Sequence, residues 1–338
     1  MKTLNVLVIA PSFDKDLPYA DAEILKRIRA VSPRIKVTDA SELATAEERG
    51  DNSNNKKLDA LLVDSEIIFG FIPPKNIMSR APKLKWFQVT SAGVDRHHGT
   101  EIWKSKVIIT GVSGIHATPI GEFILGLMLM FAKKTPLSFK MMQTREWQRY
   151  SSGTLRGKTV GVIGLGNIGE EVARLAKAFG MKVIATRRSI KAAGKAKNVD
   201  LLLPNSRTKE LLKQSDYVAV TLPLTPETHH CIGEAEFKAM KPTAYIMNIG
   251  RGPIIDPDAL IKALETKQIA GAGLDVTEPE PLPKNSKLWK LDNVILSPHI
   301  SGGMEDYMLQ ATELFCENLK RYISAKQLLN VIDKKKGY

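Results

Sequence analysis

Val160-Gly161-Val162-Ile163-Gly164-Leu165-Gly166-Asn167-Ile168-Gly169 is the stretch that decides the fold. Its first four residues read as a short buried strand, and Glu170–Phe179 beyond it carries helical spacing. Between them stands a Gly-x-Gly-x-x-Gly motif. The first glycine permits a tight turn, the second lets a pyrophosphate approach the backbone, and the third allows helix and strand to pack closely. N–H groups at the helix start can then hold the anion. Strand, glycines and helix in this order predict a dinucleotide site built from Gly164, Gly166, Asn167, Ile168 and Gly169.

The next strand, Lys182–Ala185, ends in Ala185-Thr186-Arg187-Arg188-Ser189. A site for NAD usually places Asp or Glu here, bonded to the ribose 2′-hydroxyl. This chain has no carboxylate at that point. Arg187 and Arg188 suit a 2′-phosphate instead, with Thr186 or Ser189 adding a hydrogen bond. NADP is therefore the expected cofactor, and NAD, held through its other contacts, is the alternative.

Outward from this segment, short β-branched runs alternate with helical ones. Further strands are expected at Tyr217–Val220, Ala244–Asn248, Ala272–Leu274 and Val294–Leu296, with a helix over Asp258–Glu265. An earlier series reads Leu4–Ile9, Ile35–Thr38, Ile67–Phe69, Trp86–Thr90 and Val107–Ile109 as strands, with helices over Ala20–Ala30 and part of Glu42–Arg49. The polar run Gly50–Lys57 reads as a mobile surface loop. Such alternation predicts an α/β protein with two Rossmann-like lobes and a cleft between them. A helix starting near Pro119 would carry the chain into the second lobe, and the last, Met304–Ile323, would carry it back. The expected boundaries are 1–113 with 301–338 for one domain and 114–300 for the nucleotide-binding one.

Composition narrows the field. A chain of 338 residues, 43% hydrophobic and 25% charged, is ordinary for a soluble protein of two domains. Met1–Ala10 reads as a strand and lacks the features of a secretory signal. Ile120–Phe131, the longest apolar run, includes Glu122 and falls short of the roughly 20 residues a membrane span needs. No membrane partner is expected, and a cytoplasmic location fits. Cys231 and Cys316 stand in no metal or redox spacing. The net charge of +13 is spread along the chain, with denser runs at Arg187–Lys197 and Lys334–Lys336. Without a zinc-finger spacing, an aromatic RNA-binding signature or a long basic tail, it points to small anions rather than nucleic acid.

Three further segments lie at the ends of second-lobe strands, where α/β folds place their chemistry. They are Asn248-Ile249-Gly250-Arg251-Gly252, Asp275-Val276-Thr277-Glu278-Pro279-Glu280-Pro281 and Ser297-Pro298-His299-Ile300-Ser301-Gly302-Gly303. Together they resemble the signatures of the D-isomer-specific 2-hydroxyacid dehydrogenase family. The resemblance covers nearly the whole chain, from Val89-Thr90-Ser91-Ala92-Gly93-Val94-Asp95 to Leu328-Leu329-Asn330-Val331. It also takes in the glycine motif and Thr221-Leu222-Pro223-Leu224-Thr225, all in the family's order. It implies a flavodoxin-like substrate domain, an NAD(P)-binding Rossmann domain, and hydride transfer between nicotinamide and C2 of a small 2-oxo or 2-hydroxy acid.

The chemistry accounts for these residue types. Delivering hydride to C2 builds negative charge on the carbonyl oxygen, so a proton donor must stand within hydrogen-bond reach. His299 suits this, since an unperturbed imidazole titrates at about 6.5. Glu280, selected by its family position before Pro281, would bond the other ring nitrogen and fix the tautomer. Arg251 would clamp the substrate carboxylate and polarise the C2 oxygen. By resemblance, the backbone of Ser91, Ala92 and Gly93 would hold the carboxylate and Asp275 would bond the nicotinamide carboxamide. Leu222 and Pro223 would line the cofactor path, with Ile249, Gly250 and Gly302 completing its contacts.

Other features carry less. The adjacent pairs His97-His98 and His229-His230 read as surface loop residues, and no metal is expected. His116 lies near the expected hinge. Thr144-Arg145-Glu146-Trp147-Gln148-Arg149-Tyr150 mixes aromatics with arginines, as interfaces do, and by resemblance belongs to a dimer arm, so a homodimer is expected. The competing function is a dinucleotide-sensing, corepressor-like interaction protein on the same fold, because fold alone does not decide function. Formate dehydrogenase is disfavoured, since that group has Gln where Glu280 stands. Phosphoglycerate dehydrogenases with a regulatory C-terminal domain are disfavoured because the chain stops soon after its last helix.

Overall fold

Among the described residues thirteen strands fall into two separate sheets, and the chain divides into two units around them. The computed structural model describes Thr3–Ala10 and Ala22–Gly337. One unit comprises Met1–Ile115 with Met304–Tyr338, and the other His116–Gly303.

The first unit holds β1 (Leu4–Ile9), β2 (Ile35–Asp39), β3 (Ile67–Gly70), β4 (Trp86–Val89) and β5 (Ile108–Thr110). They run parallel in the order β2-β1-β3-β4-β5. This is the order of flavodoxin-like sheets. β3 and β4 are buried along their whole length, as parallel strands covered on both faces must be. Phe69 and Trp86 point to the face covered by the helix Tyr307–Ile323, and Phe69 stacks on Phe315 at 4.5 Å. Ile68 and Phe87 meet Leu58 and Leu62 on the other face.

The second unit holds β6 (Thr159–Ile163), β7 (Lys182–Thr186), β8 (Gly194–Ala196), β9 (Val199–Leu203), β10 (Tyr217–Val220), β11 (Tyr245–Asn248), β12 (Gly271–Leu274) and β13 (Val294–Leu296). Their order is β13-β12-β11-β10-β6-β7-β9-β8, parallel except for β8 against β9. The chain leaves β6 first toward β7 and later returns on its other side at β10. That reversal is the topological switch point, outside whose strand ends α/β sheets bind ligands. The helix Ala117–Ala132 packs on the helix Asn167–Ala178, where a side chain at Gly121 would strike Glu171. The long apolar run is thus a buried helix. Among the described residues, no helix is long and apolar enough to cross a membrane.

Several expectations need correction. Gly50–Lys57 is not all loop, because the helix Asn55–Leu62 begins inside it and buries Leu58 and Leu62 one turn apart. The strand expected at Val107–Ile109 sits one residue later, and the last helix starts at Tyr307 rather than Met304. β8 and β9 were not expected at all. The helix expected from Ala20 begins at Ala22 in the described part, and Ala20, Met1 and Lys2 lie outside the described residues.

Candidate active site

The glycine turn after β6 divides its tasks as physics requires. Gly164 adopts φ +103°, and a Cβ there would lie 2.9 Å from Leu222. A Cβ on Gly169 would lie 2.5 Å from the Gly164 carbonyl oxygen, so helix and turn touch only because it has none. Gly166 faces open space, with nothing within 4 Å of where a side chain would begin. First and third glycines shape the turn, and the second leaves bare backbone at the start of the helix Asn167–Ala178. Thr221, following β10, donates its hydroxyl to the Gly164 carbonyl at 2.7 Å and fixes the turn from the far side of the switch point.

Thr186 corrects one expectation. It is 0% exposed, and its hydroxyl accepts from the Gly164 N–H at 3.3 Å. It braces the glycine turn and does not reach outward to a ribose. Arg187 donates from Nε to the Leu165 carbonyl at 2.8 Å and pairs with Glu170 in the first helical turn.

His299 follows β13 on a loop tied to the end of β12. Glu280 accepts from Nδ1 of His299 at 2.6 Å, which leaves Nε2 as the outward nitrogen. The His299 backbone sits in the left-handed region, φ +56°, a conformation that persists only where surroundings enforce it. Asp275 does the enforcing. Its carbonyl accepts the His299 N–H at 2.8 Å. Its carboxylate takes the Ser297 hydroxyl at 2.6 Å and the N–H groups of Ile300 and Ser301 at 2.9 Å each. Burial alone would raise the Asp275 pKa, but donation from Ser297, Ser301 and the Ile300 amide outweighs it and holds the carboxyl below its usual value. At 1% exposure, Asp275 spends both oxygens on the His299 loop.

Arg251 follows β11. A side chain at Gly252 would meet the Thr277 carbonyl oxygen at 1.9 Å, so the Arg251 loop lies directly on the segment that leads to Glu280. Asn248 donates from Nδ2 to the Arg251 carbonyl at 3.0 Å. Burial first, and then the Arg251 charge, lower His116 below its usual pKa of 6.5. The His116 ring in turn packs on Gly302, where a Cβ would lie 2.8 Å from it. Arg251, His116 and the His299 loop are therefore neighbours. His116, which the sequence marks only as near a hinge, belongs to this group.

In the first unit, the turn after β4 carries Ser91, Ala92 and Gly93. The Ser91 hydroxyl donates to the Gly93 carbonyl at 2.8 Å, and the Ser91 carbonyl accepts from Val112 N–H at 3.2 Å. Among the described residues, the three backbone N–H groups of this turn have no acceptor. Tyr307 donates its buried hydroxyl to the Thr90 carbonyl just before the turn.

The family model for the D-isomer specific 2-hydroxyacid dehydrogenase NAD binding domain matches residues 125–301. A glyoxylate reductase of Thermococcus litoralis is 36% identical over 273 residues, covering 77% of this chain and 80% of that protein. The chain belongs to the D-isomer specific 2-hydroxyacid dehydrogenase family. Its second unit contains the NAD-binding domain of these oxidoreductases. Two solved structures of the family resemble this dehydrogenase along its length. One, from Aeromonas salmonicida, is 29% identical with a TM-score of 0.81, covering 98% of this chain and all of that one. The other, from Xanthobacter autotrophicus in complex with NADPH and MES, is 26% identical with a TM-score of 0.82, covering both chains fully.

Of the dehydrogenase's remaining histidines, His98 and His229 are exposed in turns, as expected of surface loop residues, and His230 is half-buried in the same turn as His229; His97 departs from that expectation. His97 is 4% exposed, with its ring edge against Phe87. His98 bonds the Gly337 carbonyl at 3.0 Å. His229 and His230 lie in a turn, not on a helix, and their ring centroids are 4.0 Å apart. His230 donates from Nε2 to Glu278 at 2.6 Å. No spacing rule joins residues 230 and 278, so the sequence alone could not pair them.

Proposed function

We propose that this dehydrogenase reduces a small 2-oxo acid to the 2-hydroxy acid, with NADPH as preferred reductant. The observation that carries this reading is the His299–Glu280 pair at 2.6 Å, in the same unit as the bare Gly166 turn. Open space where a Gly166 side chain would begin supports a pyrophosphate there, so Gly164, Gly166, Asn167, Ile168 and Gly169 would hold the dinucleotide, with Leu222, Pro223, Ile249, Gly250 and Gly302 along its length. When bound, the reduced nicotinamide supplies the hydride. To act as donor the His299 ring must carry a proton on both nitrogens: Nδ1–H bonds Glu280, whose negative charge faces the ring, and Nε2–H goes to the C2 oxygen as charge develops there. Arg251 binds the substrate carboxylate with its fork of donors, beside a His116 whose lowered pKa leaves the guanidinium as the cation of the group. By resemblance to the family's carboxylate-binding loop, the Ser91–Gly93 amides of the first unit are assigned to anion binding. Asp275 acts through the His299 loop, fixing its left-handed backbone.

Arg187 and Arg188, with no carboxylate at the end of β7, favour the 2′-phosphate of NADP. The NADPH bound in the Xanthobacter relative agrees with this reading. Arg187 would exchange part of its hold on Glu170 for that phosphate. We also infer a homodimer, because Trp147 is 100% and Met142 72% exposed next to the exposed Phe139.

The test is absorbance of the reduced nicotinamide with NADPH, then NADH, against a panel of 2-oxo acids that includes glyoxylate and hydroxypyruvate. NADPH oxidation by at least one acid is expected, faster than with NADH. In Arg187→Ala, the NADPH efficiency should fall by about 10- to 100-fold, the loss of one charged hydrogen bond, while the NADH efficiency stays within a few-fold. Tight NADPH binding with no acid reduced would favour the sensing reading.

A further inference from the structure

We propose that His229, His230 and Glu278 form a binding site for a divalent transition-metal ion such as zinc. Among the described residues, they are the one group of three histidine, cysteine or acidic side chains whose ligand atoms converge, all within 4.8 Å of one another. Two imidazoles and a carboxylate are borderline donors, the set preferred by zinc, cobalt(II), nickel and copper rather than by calcium or magnesium. Three protein ligands leave room for water to complete a tetrahedral shell.

The donors are held before any ion arrives. The His229 N–H bonds the Thr225 carbonyl at 3.0 Å. The His230 N–H bonds the Pro253 carbonyl at 2.8 Å, and the His230 backbone takes φ +49°. Glu278 follows Thr277, on whose backbone Gly252 is pressed. Turn, Arg251 loop and Glu278 segment are thus already fastened to one another. Zinc ligands at about 2.0–2.1 Å from the metal stand about 3.3 Å apart in a tetrahedron. The observed separations, all within 4.8 Å, exceed that by about 1.5 Å at most, so binding requires side-chain rotations that close the wider gaps and open the 2.6 Å His230–Glu278 contact. The chain's net charge of +13 opposes a cation. Charges beyond the roughly 8 Å screening length at physiological ionic strength contribute little, and Glu278 supplies a negative charge within the cluster itself.

The His299–Glu280 pair offers only two donors and does not extend to a third, so an ion should choose the other site. The experiment uses the untagged full chain, stripped with chelator and dialysed. It is titrated with Co²⁺ by visible absorption and with Zn²⁺ by calorimetry, with the thermal transition followed in parallel. One ion per chain is expected, with ligand-field absorption from Co²⁺ and a higher transition temperature with Zn²⁺. His229→Gln, an exposed change that should leave folding intact, and Glu278→Gln should each weaken binding by more than about 100-fold. Loss even of an outer-shell partner costs 10–100-fold. His299→Gln should keep the stoichiometry. Absence of binding below millimolar metal would overturn the site. So would variants at 229 and 278 that bind like wild type, or loss of the ion only with His299→Gln.

Discussion

Thr277–Pro281 lends a carboxylate to each of two histidines, and the two pairs share a distance of 2.6 Å yet differ in which ring nitrogen is tethered. His299 meets Glu280 through Nδ1, the nitrogen nearer its backbone, so the distal Nε2 points outward. His230 meets Glu278 through Nε2, and the distal nitrogen is the one already engaged. Both residues adopt a left-handed backbone, but the anchors differ. His299 is held by the carboxylate and carbonyl of Asp275, and His230 by the Pro253 carbonyl. His299 has Arg251 and His116 near its loop, whereas His230 has a second imidazole 4.0 Å away. A histidine–carboxylate pair alone therefore does not define a proton donor. In the roles proposed above, which nitrogen is tethered and what stands beside the ring distinguish a proton donor from a metal ligand.

The comparison breaks first at the histidines. His299→Ala should lower kcat by about 10² to 10⁴-fold, the usual worth of a positioned general acid, in a steady-state assay of NADPH oxidation. His230→Ala should cost less than tenfold in the same assay, and equal losses would mean that the two pairs are not distinct. The carboxylates sharpen it next. Glu280→Gln should lower kcat by at least about tenfold with little change in KM, because an amide oxygen can still accept from Nδ1 but brings no negative charge to the doubly protonated ring that must donate. Glu278→Gln should move metal affinity far more than kcat.

The smallest effect concerns the anchor. Asp275→Asn leaves a buried donor without its partner, so it should destabilise the fold by about 1–3 kcal/mol at neutral pH in chemical denaturation. The folded-state pKa of Asp275 lies below its usual value of 3.8. Its contribution is thus complete above that pH and disappears as pH falls through the folded value. The stability gap between wild type and variant should begin to narrow below about pH 3.8 and close once pH falls beneath the folded value. A gap that stays constant into acid would show that the Asp275 charge does not hold the loop.

Much of this was legible in the chain. β-branched runs gave eleven strands nearly in place, because a parallel strand buried on both faces must be apolar along its length. β8 was hidden because Gly194-Lys195-Ala196 has no strand preference of its own and exists through pairing with β9. The helix Asn55–Leu62 was masked by polar residues, although Leu58 and Leu62 already had helical spacing. At the proposed site, the sequence singles out the glycines, Arg251, Glu280 and His299 because their motifs are local. Thr186 was misplaced because a polar residue at a strand end looks like a ligand until its burial is known. The Glu278 partner of His230 was invisible, since 48 residues separate the two and only the fold joins them.

The most direct test of the central claim follows the hydride itself. NADPH carrying deuterium at C4 of the nicotinamide, on either face, would be incubated with enzyme and the 2-oxo acid that it consumes. The product would then be analysed by mass spectrometry and NMR. The predicted result is one deuterium at C2 of the 2-hydroxy acid from one face only, with negligible product from His299→Ala. A product without deuterium from either face, or unchanged turnover in His299→Ala, would contradict the account.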